Sequence, residues 1–291
     1  MAITASMVKE LRERTGAGMM ECKRALVETN GDLEAAIEHL RKSGLAQADK
    51  KASRVAAEGQ VVLASNDSNT ETVMVEVNCE TDFVAKDENF LNFANAVAQA
   101  ALTLGSEDID ALMAVEVDGS SLELARQALV SKIGENVQVR RMSRSTSDGT
   151  IGAYVHGGRI GLLVDLDGED NELARDIAMH VAALNPAFVD ADSVPADVLE
   201  KEKQFLISQA EESGKPADII EKMIAGRLRK HLAEITLLGQ PFVKDGDVTV
   251  AKLLDQKGAS VKGFNRLAVG EGIEKKEDNF AEEVMQQVKG G

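Results

Sequence analysis

Tryptophan is absent from this sequence, tyrosine occurs once and phenylalanine eight times. So few aromatic rings leave little with which to stack single-stranded bases. Positive charge is also scarce: 33 Lys and Arg stand against 49 Asp and Glu, a formal net charge of −16. Binding nucleic acid through its phosphates requires clustered cations that release condensed counterions, and this balance argues against direct contact with DNA or RNA. The two cysteines, Cys22 and Cys79, lie far apart and form no Cys-x-x-Cys pair. No disulfide framework follows from them, and a reducing cytoplasm is the expected setting. No uncharged apolar run approaches the ~18 residues that cross a bilayer, so no membrane is expected as a partner. Met1-Ala2-Ile3-Thr4-Ala5-Ser6 has neither a basic n-region nor an apolar h-region, so no signal peptide is expected.

Signatures of bond chemistry are missing as well. The chain contains no Gly-x-x-x-x-Gly-Lys-Ser/Thr loop, no His-Glu-x-x-His and no Gly-x-Ser-x-Gly elbow. Its four histidines, at 39, 156, 180 and 231, fall on different expected elements without metal-ligand spacing. Acidic pairs such as Glu282-Glu283 sit in charged stretches that suit a solvated face. The expectation is a protein that is not an enzyme, with no cofactor and no metal of its own, whose partner is another protein.

What is present is ample material for a core. Of 291 residues 44% are hydrophobic, which excludes wholesale disorder and suggests about two domains of ~150 residues. The first 45 or so residues read as three short helices. Thr4 is a plausible N-cap for the first, with Val8 and Leu11 on its apolar face and Thr15-Gly16 as its stop. Met19, Cys22, Leu26 and Thr29 define the second, with Met19 expected in the core and Met20 one position round, toward solvent. Asp32 caps the third, whose stripe of Leu33, Ala36, Ile37 and Leu40 is expected to stop at Gly44. Residues 1–55 carry ten cations against eight anions, whereas the rest of the chain holds the whole negative excess. That asymmetry marks a separate small module, joined through Lys50-Lys51-Ala52-Ser53-Arg54.

A pattern then appears twice. Gln60–Ala64 and Val73–Val77 are β-branched runs joined by a polar turn, followed by Phe90, Ala94, Val97 and Ala101 at helical spacing. Ser121–Ile133 reads as another helix and Val137–Arg140 as a closing strand. The second copy runs Ile151–Val155, turns at His156-Gly157-Gly158-Arg159, returns through Ile160–Val164, and continues into a helix over Leu173, Ile177, Val181 and Leu184. Its late strand is expected at Gly263–Val269. This is an α+β fold with a duplicated core of two small antiparallel sheets covered by helices. The segmentation is 1–55 for the helical module and linker, 56–145 and 146–270 for the two core halves, and 271–291 for a C-terminal module with a helix through Phe280, Val284 and Val288. Two helical segments, Pro195–Glu212 and Pro216–Ile235, form an antiparallel hairpin inserted in the second half at about 195–236. Val198, Leu199, Phe205 and Leu206 line one face of the first helix and Ile220, Ile224, Leu228 and Ile235 one face of the second, and the hairpin, with little core of its own, is expected to pack on something.

Several residues invite two readings. In Glu80-Thr81-Asp82-Phe83-Val84-Ala85-Lys86-Asp87, Phe83 or Val84 can pack under the following helix as a hydrophobic staple, with Asp82 or Asp87 as its cap. Alternatively, Phe83 projects as a wedge beside a carboxylate. The local pattern favours the staple. His156 at a hairpin tip is expected to be exposed, and His180 to be a satisfied, partly buried histidine. Gly239-Gln240-Pro241-Phe242-Val243 is equally readable as loop filler or as a docking patch.

Five motifs, in order, carry a family resemblance. They are Val8-Lys9-Glu10-Leu11-Arg12-Glu13-Arg14-Thr15-Gly16-Ala17-Gly18-Met19-Met20, Val77-Asn78-Cys79-Glu80-Thr81-Asp82-Phe83-Val84-Ala85-Lys86, Lys132-Ile133-Gly134-Glu135-Asn136, His156-Gly157-Gly158-Arg159-Ile160-Gly161 and Gly239-Gln240-Pro241-Phe242-Val243. Over nearly its whole length the chain closely resembles the elongation factor Ts family, the exchange factors for the GTPase elongation factor Tu. The resemblance implies a ubiquitin-associated-like N-terminal module, a duplicated core, an inserted coiled-coil hairpin and a C-terminal helical module. It implies that Thr81, Asp82, Phe83 and Val84 dislocate magnesium from the partner, reversing the local preference for a staple. It further implies that Ile133 and His156 are core contacts to the partner, and that Arg12, Met19, Met20 and Val243 meet another helix of its nucleotide-binding domain. One departure is Gly158, where the family pattern has a small residue other than glycine; a looser turn is expected there. An alternative reading is a non-catalytic dimeric scaffold using the helical hairpin; a cytosolic enzyme with a dispersed site is a third.

Overall fold

A computed structural model describes residues 3–211 and 216–274. The expected C-terminal helix and the Ser213-Gly214-Lys215 connection lie outside the described residues. Three helices open the chain: α1 (Ala5–Thr15), α2 (Met19–Glu28) and α3 (Leu33–Lys51). Thr4 caps α1 through Met7 N–H, Gly16 ends it at φ +67°, and Asp32 caps α3 through Ala35 N–H. Leu11, Cys22, Ala25, Leu26 and Ala36 form their shared core.

Two expectations fail here. Helix α3 does not stop at Gly44 but runs through it to Lys51. Gly44 is the point of close approach to Ser131, where an added Cβ would lie 3.5 Å from the serine Cβ. Packing against a neighbouring helix outweighs the ~1 kcal/mol cost of a mid-helix glycine. Met19 is not core: it is 60% exposed. As the first residue of α2 it precedes the turn that Cys22 and Leu26 bury, so helical spacing alone misplaces it.

Strands β1 (Glu58–Ser65) and β2 (Glu71–Cys79) form the first hairpin. A 3-10 turn at Val84–Lys86 leads into α4 (Glu88–Leu104). The spacer that follows holds α5 (Ile109–Ala114) and a two-residue hairpin, β3 (Glu116–Val117) and β4 (Ser120–Ser121). Then come α6 (Leu122–Ile133) and β5 (Gln138–Thr146), which pairs with β2. The second half repeats the plan with β6 (Thr150–His156), β7 (Ile160–Asp167) and α7 (Asn171–Leu184). The inserted helices α8 (Ala196–Glu211) and α9 (Ala217–Ile235) follow, then β8 (Pro241–Phe242), β9 (Asp245–Thr249), α10 (Val250–Lys257) and β10 (Ser260–Ala268). The sheet orders are β1-β2-β5 and β10-β7-β6, so in each half the second strand is central and the late strand closes the sheet beside it. That shared topology is the duplication the sequence pattern suggests.

The two sheets face each other. On β2, Val73, Val75 and Val77 turn toward α4, while Met74 turns inward to meet Val61, Ile151, Leu163 and Leu267. On β7, Leu162, Val164 and Leu166 turn toward α7, and Leu163 turns inward. Period-two alternation on a strand buried on both faces produces this division. The hairpin is antiparallel: Arg227 donates to Gln209 at 3.2 Å, and His231 lies 3.9 Å from Glu202. Its base is closed by Leu237 N–H to Phe188 C=O at 2.8 Å. Leu206 is buried in it, but Phe205, expected on the same face, is exposed.

Candidate partner-binding site

The strand β2 ends at Cys79, and the chain must turn before α4 can lie on the sheet. Glu135 organises that turn. One carboxylate oxygen accepts the N–H groups of Glu80 and Thr81 at 3.1 and 3.0 Å, and the other accepts the Thr81 hydroxyl at 2.7 Å. Glu80 in turn accepts the Asn136 N–H at 2.7 Å, and Asn136 Nδ2 donates to the carbonyls of Ala52 and Arg54. The Cys79 thiol donates to Thr81 C=O at 3.2 Å; burial, with the nearby Glu135 and Glu58 carboxylates, pushes its pKa up to about 12. It is an inert structural thiol.

With this anchor in place, the 3-10 turn decides which side chain projects. Successive side chains in such a turn lie about 120° apart. Ala85 is buried and Val84 packs against the first core, so Phe83 is turned out and is 82% exposed. Asp87, not Phe83, secures the helix start, accepting the N–H groups of Asn89 and Phe90. Its pKa is lowered chiefly by the Asn89 side-chain hydrogen bond. Asp82 is exposed and pairs with Lys86 at 2.8 Å. The staple reading is therefore overturned for Phe83.

Ile133 is the last residue of α6, half-buried against the same core and two positions before Glu135. His156 is exposed at the β6–β7 tip, and its Nδ1 shares a 3.0 Å hydrogen bond with the Tyr154 hydroxyl. The tip is not loose, as Gly158 had suggested. Val61 N–H donates to Gly158 C=O at 2.7 Å, so the tip closes over the free edge of β1. Gly158 holds φ +72°, a left-handed conformation that favours glycine.

Arg12 is exposed in the last turn of α1, and Met19 and Met20 project from the first turn of α2. Their helices pack on α3, which in turn docks on α6 beside a groove of about 600 Å³ lined by Gly16, Leu40, Phe93, Leu129 and Lys132. Val243 is 41% exposed, and its N–H donates to His180 Nδ1 at 3.1 Å. His180 is fully buried rather than partly so; its Nε2 meets Gln240 Oε1 at 2.9 Å and its ring stacks on Phe242.

The structure thus ties Thr81–Val84 to the α6 end that bears Ile133, and ties the His156 tip to β1 of the same half. Arg12, Met19 and Met20 belong to the helical module, and Val243 to the α7 side of the second half. Sequence reasoning assigned no role to Glu135, Asn136 or Glu76. Glu76 is fully buried and is bound by Arg140, Arg141, Asn78 and Gly270 N–H. A lone carboxylate inside the apolar run Val73-Met74-Val75-Glu76-Val77 was its available signal. Among the described residues, no cluster of three or more His, Cys, Asp or Glu is placed to hold a metal ion, and no helix is long and apolar enough to cross a membrane.

Comparison with known proteins places this arrangement in a family. The family model described as Elongation factor TS matches residues 80–271, from the Phe83 turn to the end of the second sheet. The Elongation factor Ts of Thioalkalivibrio sulfidiphilus is 64% identical over 292 residues, covering all of both chains. That of Alcanivorax borkumensis is 60% identical over 98% of this chain and 100% of its own. That of Methylococcus capsulatus is 57% identical over 99% of each. Identity of this extent shows that the chain belongs to the elongation factor Ts family of translation factors.

Proposed function

We propose that this chain is a guanine nucleotide exchange factor that binds GDP-loaded elongation factor Tu, displaces magnesium and GDP, and allows GTP to bind. The observation that carries the reading is Phe83: a large aromatic left 82% exposed on a turn that three hydrogen bonds to Glu135 hold rigid. Exposing such a ring on an ordered connection is costly unless a partner covers it. Phe83 is the wedge, Asp82 the perturbing carboxylate, and Thr81 and Val84 seat the turn. Ile133 and His156 extend the contact, while Arg12, Met19, Met20 and Val243 meet a second element of the partner. The helical module 1–55 and the core halves 56–145 and 146–270 are the working parts.

The mechanism follows from how such nucleotides are held. Magnesium bridges phosphate and protein oxygens, and backbone N–H groups cradle the phosphates. Displacing the metal and tilting the cradle weakens GDP without touching its base. The factor makes and breaks no covalent bond. It binds the nucleotide-free partner more tightly than the loaded one, and linkage requires GDP and the factor to weaken each other equally. Each tenfold of that effect needs ~1.4 kcal/mol of coupling. GTP then displaces the factor by the same reciprocity.

The test is release of fluorescent GDP from elongation factor Tu, chased with unlabelled nucleotide, with the chain at substoichiometric concentration. Accelerated, multiple-turnover release is expected, and Phe83→Ala is expected to slow it while leaving the fold intact. Unchanged release in that variant would sink the wedge assignment. A second reading, a dimeric scaffold, draws on the exposed Phe205 and Ile219 of the hairpin. Deleting the hairpin separates the two: exchange survives under the first reading, and self-association is lost under the second.

A further inference from the structure

The Phe83 turn and the His156 tip come from different halves of the core, and one side chain touches both. Gln60 lies on β1, the edge strand of the first sheet. Its Nε2 donates to Ala85 C=O at 2.8 Å, inside the turn that projects Phe83. Its Oε1 lies against Gly158 so closely that a Cβ built on that glycine would sit 1.7 Å away. The neighbouring Val61 N–H donates to Gly158 C=O, and Arg159 pairs with Glu58. Strand β1 therefore grips the hairpin tip through its backbone and ion pair, and the wedge turn through Gln60.

A glutamine suits this place chemically. Its amide supplies a donor to the Ala85 carbonyl and sets a neutral oxygen against the glycine. A carboxylate of the same shape would set an acceptor against an acceptor, which forfeits the bond and adds repulsion. Resting on the exchange reading above, we propose that Gln60 is a positioning residue for exchange. It fixes the Phe83 turn relative to the His156 tip, so both contacts meet the GTPase at one spacing. Contacts delivered on a preorganised frame spend less binding energy on ordering themselves.

The test uses the full chain with Gln60→Glu, and Gly158→Ala as an independent approach from the other side of the contact. Amide hydrogen exchange in the free protein is measured at Lys86 and Asp87, whose N–H groups close the wedge turn, and at Arg159, which closes the tip. Gln60→Glu is expected to speed exchange at all three by about tenfold, the equivalent of one lost hydrogen bond, with Val75 in the central strand unchanged. In GDP release, kcat is expected to fall about five- to tenfold with KM within about twofold.

A cycle of Phe83→Ala and His156→Ala gives the readout that a merely structural role would not move. Their losses are expected to be non-multiplicative in the native background and multiplicative in Gln60→Glu. Multiplicative losses in the native background would overturn the proposal, as would Gln60→Glu with native amide protection and native kcat. A native chain that releases no GDP would overturn it through its premise. The amide data, which need no partner, tell that failure from a failure of the Gln60 link.

Discussion

Glu135 and Thr81 lie far apart in sequence yet are joined by two hydrogen bonds, one from the Thr81 N–H at 3.0 Å and one from its hydroxyl at 2.7 Å. The acid follows Gly134, which ends α6 at φ +88° and redirects the chain toward the end of β2. The end of one helix thereby sets the geometry of the turn that starts another. Hydrogen bonds to an ionised acceptor are worth roughly 1.5–3 kcal/mol each when the alternative is an unpaired donor.

Removing the carboxylate should loosen the turn without touching Phe83 itself. Glu135→Ala is expected to cost about 2 kcal/mol of stability, allowing for water replacing part of the loss. For a chain of this size that lowers the thermal midpoint by roughly 4–8 °C. Nucleotide release should slow nearly as much as in Phe83→Ala, and the two changes combined should do little more than either alone. Calorimetry and the GDP-release assay check both parts; full additivity of the rate losses would contradict the link.

The facing sheets meet closely at Gly161 on β7. A Cβ there would lie 2.4 Å from Val61 Cγ1 and 3.4 Å from Met74 Sδ. Gly161→Ala is expected to destabilise the protein by about 1–3 kcal/mol through overpacking. Adding Val61→Ala opens the needed space, so the double variant should be more stable than the sum of its parts predicts. Urea unfolding of the four proteins measures this; simple additivity would mean the sheets move apart at no cost.

Glu76 fastens the end of β10 onto the first sheet. Its carboxylate accepts from Arg140, Arg141 and Gly270 N–H, and Arg141 also donates to Ala268 C=O. Burial alone would raise its pKa, but the Gly270, Arg141 and Asn78 hydrogen bonds outweigh burial and lower it below 4.5. The folded state thus binds its proton less readily than the unfolded chain. That stability is complete above the ordinary carboxylate range and is lost as pH falls through the folded pKa. Glu76→Gln is expected to cost about 3 kcal/mol at pH 7, the low end for a broken buried pair because both guanidiniums remain partly in solvent. Unfolding from pH 7 to pH 3 should show a shallower acid loss in the variant.

Much of this fold is legible in local pattern. The Val-rich runs of β2 and β7, the glycines after α1 and α6, and Asp32 before α3 all obey rules that act within a few residues. The duplication is legible because both hairpins repeat the same order of pattern. Positions decided over long range are less legible. Gly44 reads as a stop until Ser131 packs on it, and Met19 reads as core until the helix is seen to begin there. The short elements between Gly105 and Ser121 carry too few residues for any period to register. Phe83 shows the limit most clearly. An aromatic before a helix is commonly a staple, and only the inward placement of Val84 and Ala85 turns it out. The family resemblance, rather than local pattern, pointed that way. Glu135 stood within a motif of the family resemblance, but local pattern gave it no role, since its partners lie in another segment of the chain.

His180 supplies a pH dependence whose direction is fixed by its neighbours. Val243 N–H can only donate, so Nδ1 must accept, and the single ring proton sits on Nε2 facing Gln240 Oε1. Protonation would place a second N–H against that of Val243. Burial depresses the pKa below 6.5, outweighing the Gln240 hydrogen bond, which acts to raise it. The unfolded chain therefore takes up this proton first. Its stability contribution is complete above about pH 6.5 and is lost as pH falls toward the folded pKa, by ~1.4 kcal/mol for each unit separating the two values. His180→Gln cannot titrate, so its unfolding free energy should lose less than that of the native chain between pH 7 and pH 5. Because the same nitrogen holds the Val243 backbone, the Val243 amide should also exchange faster than the pH-corrected intrinsic rate predicts as the medium is acidified. Equal pH slopes in the two proteins would mean that His180 binds its proton as readily in the fold as in the unfolded chain, and that burial and its contact with Val243 do not hold the ring neutral.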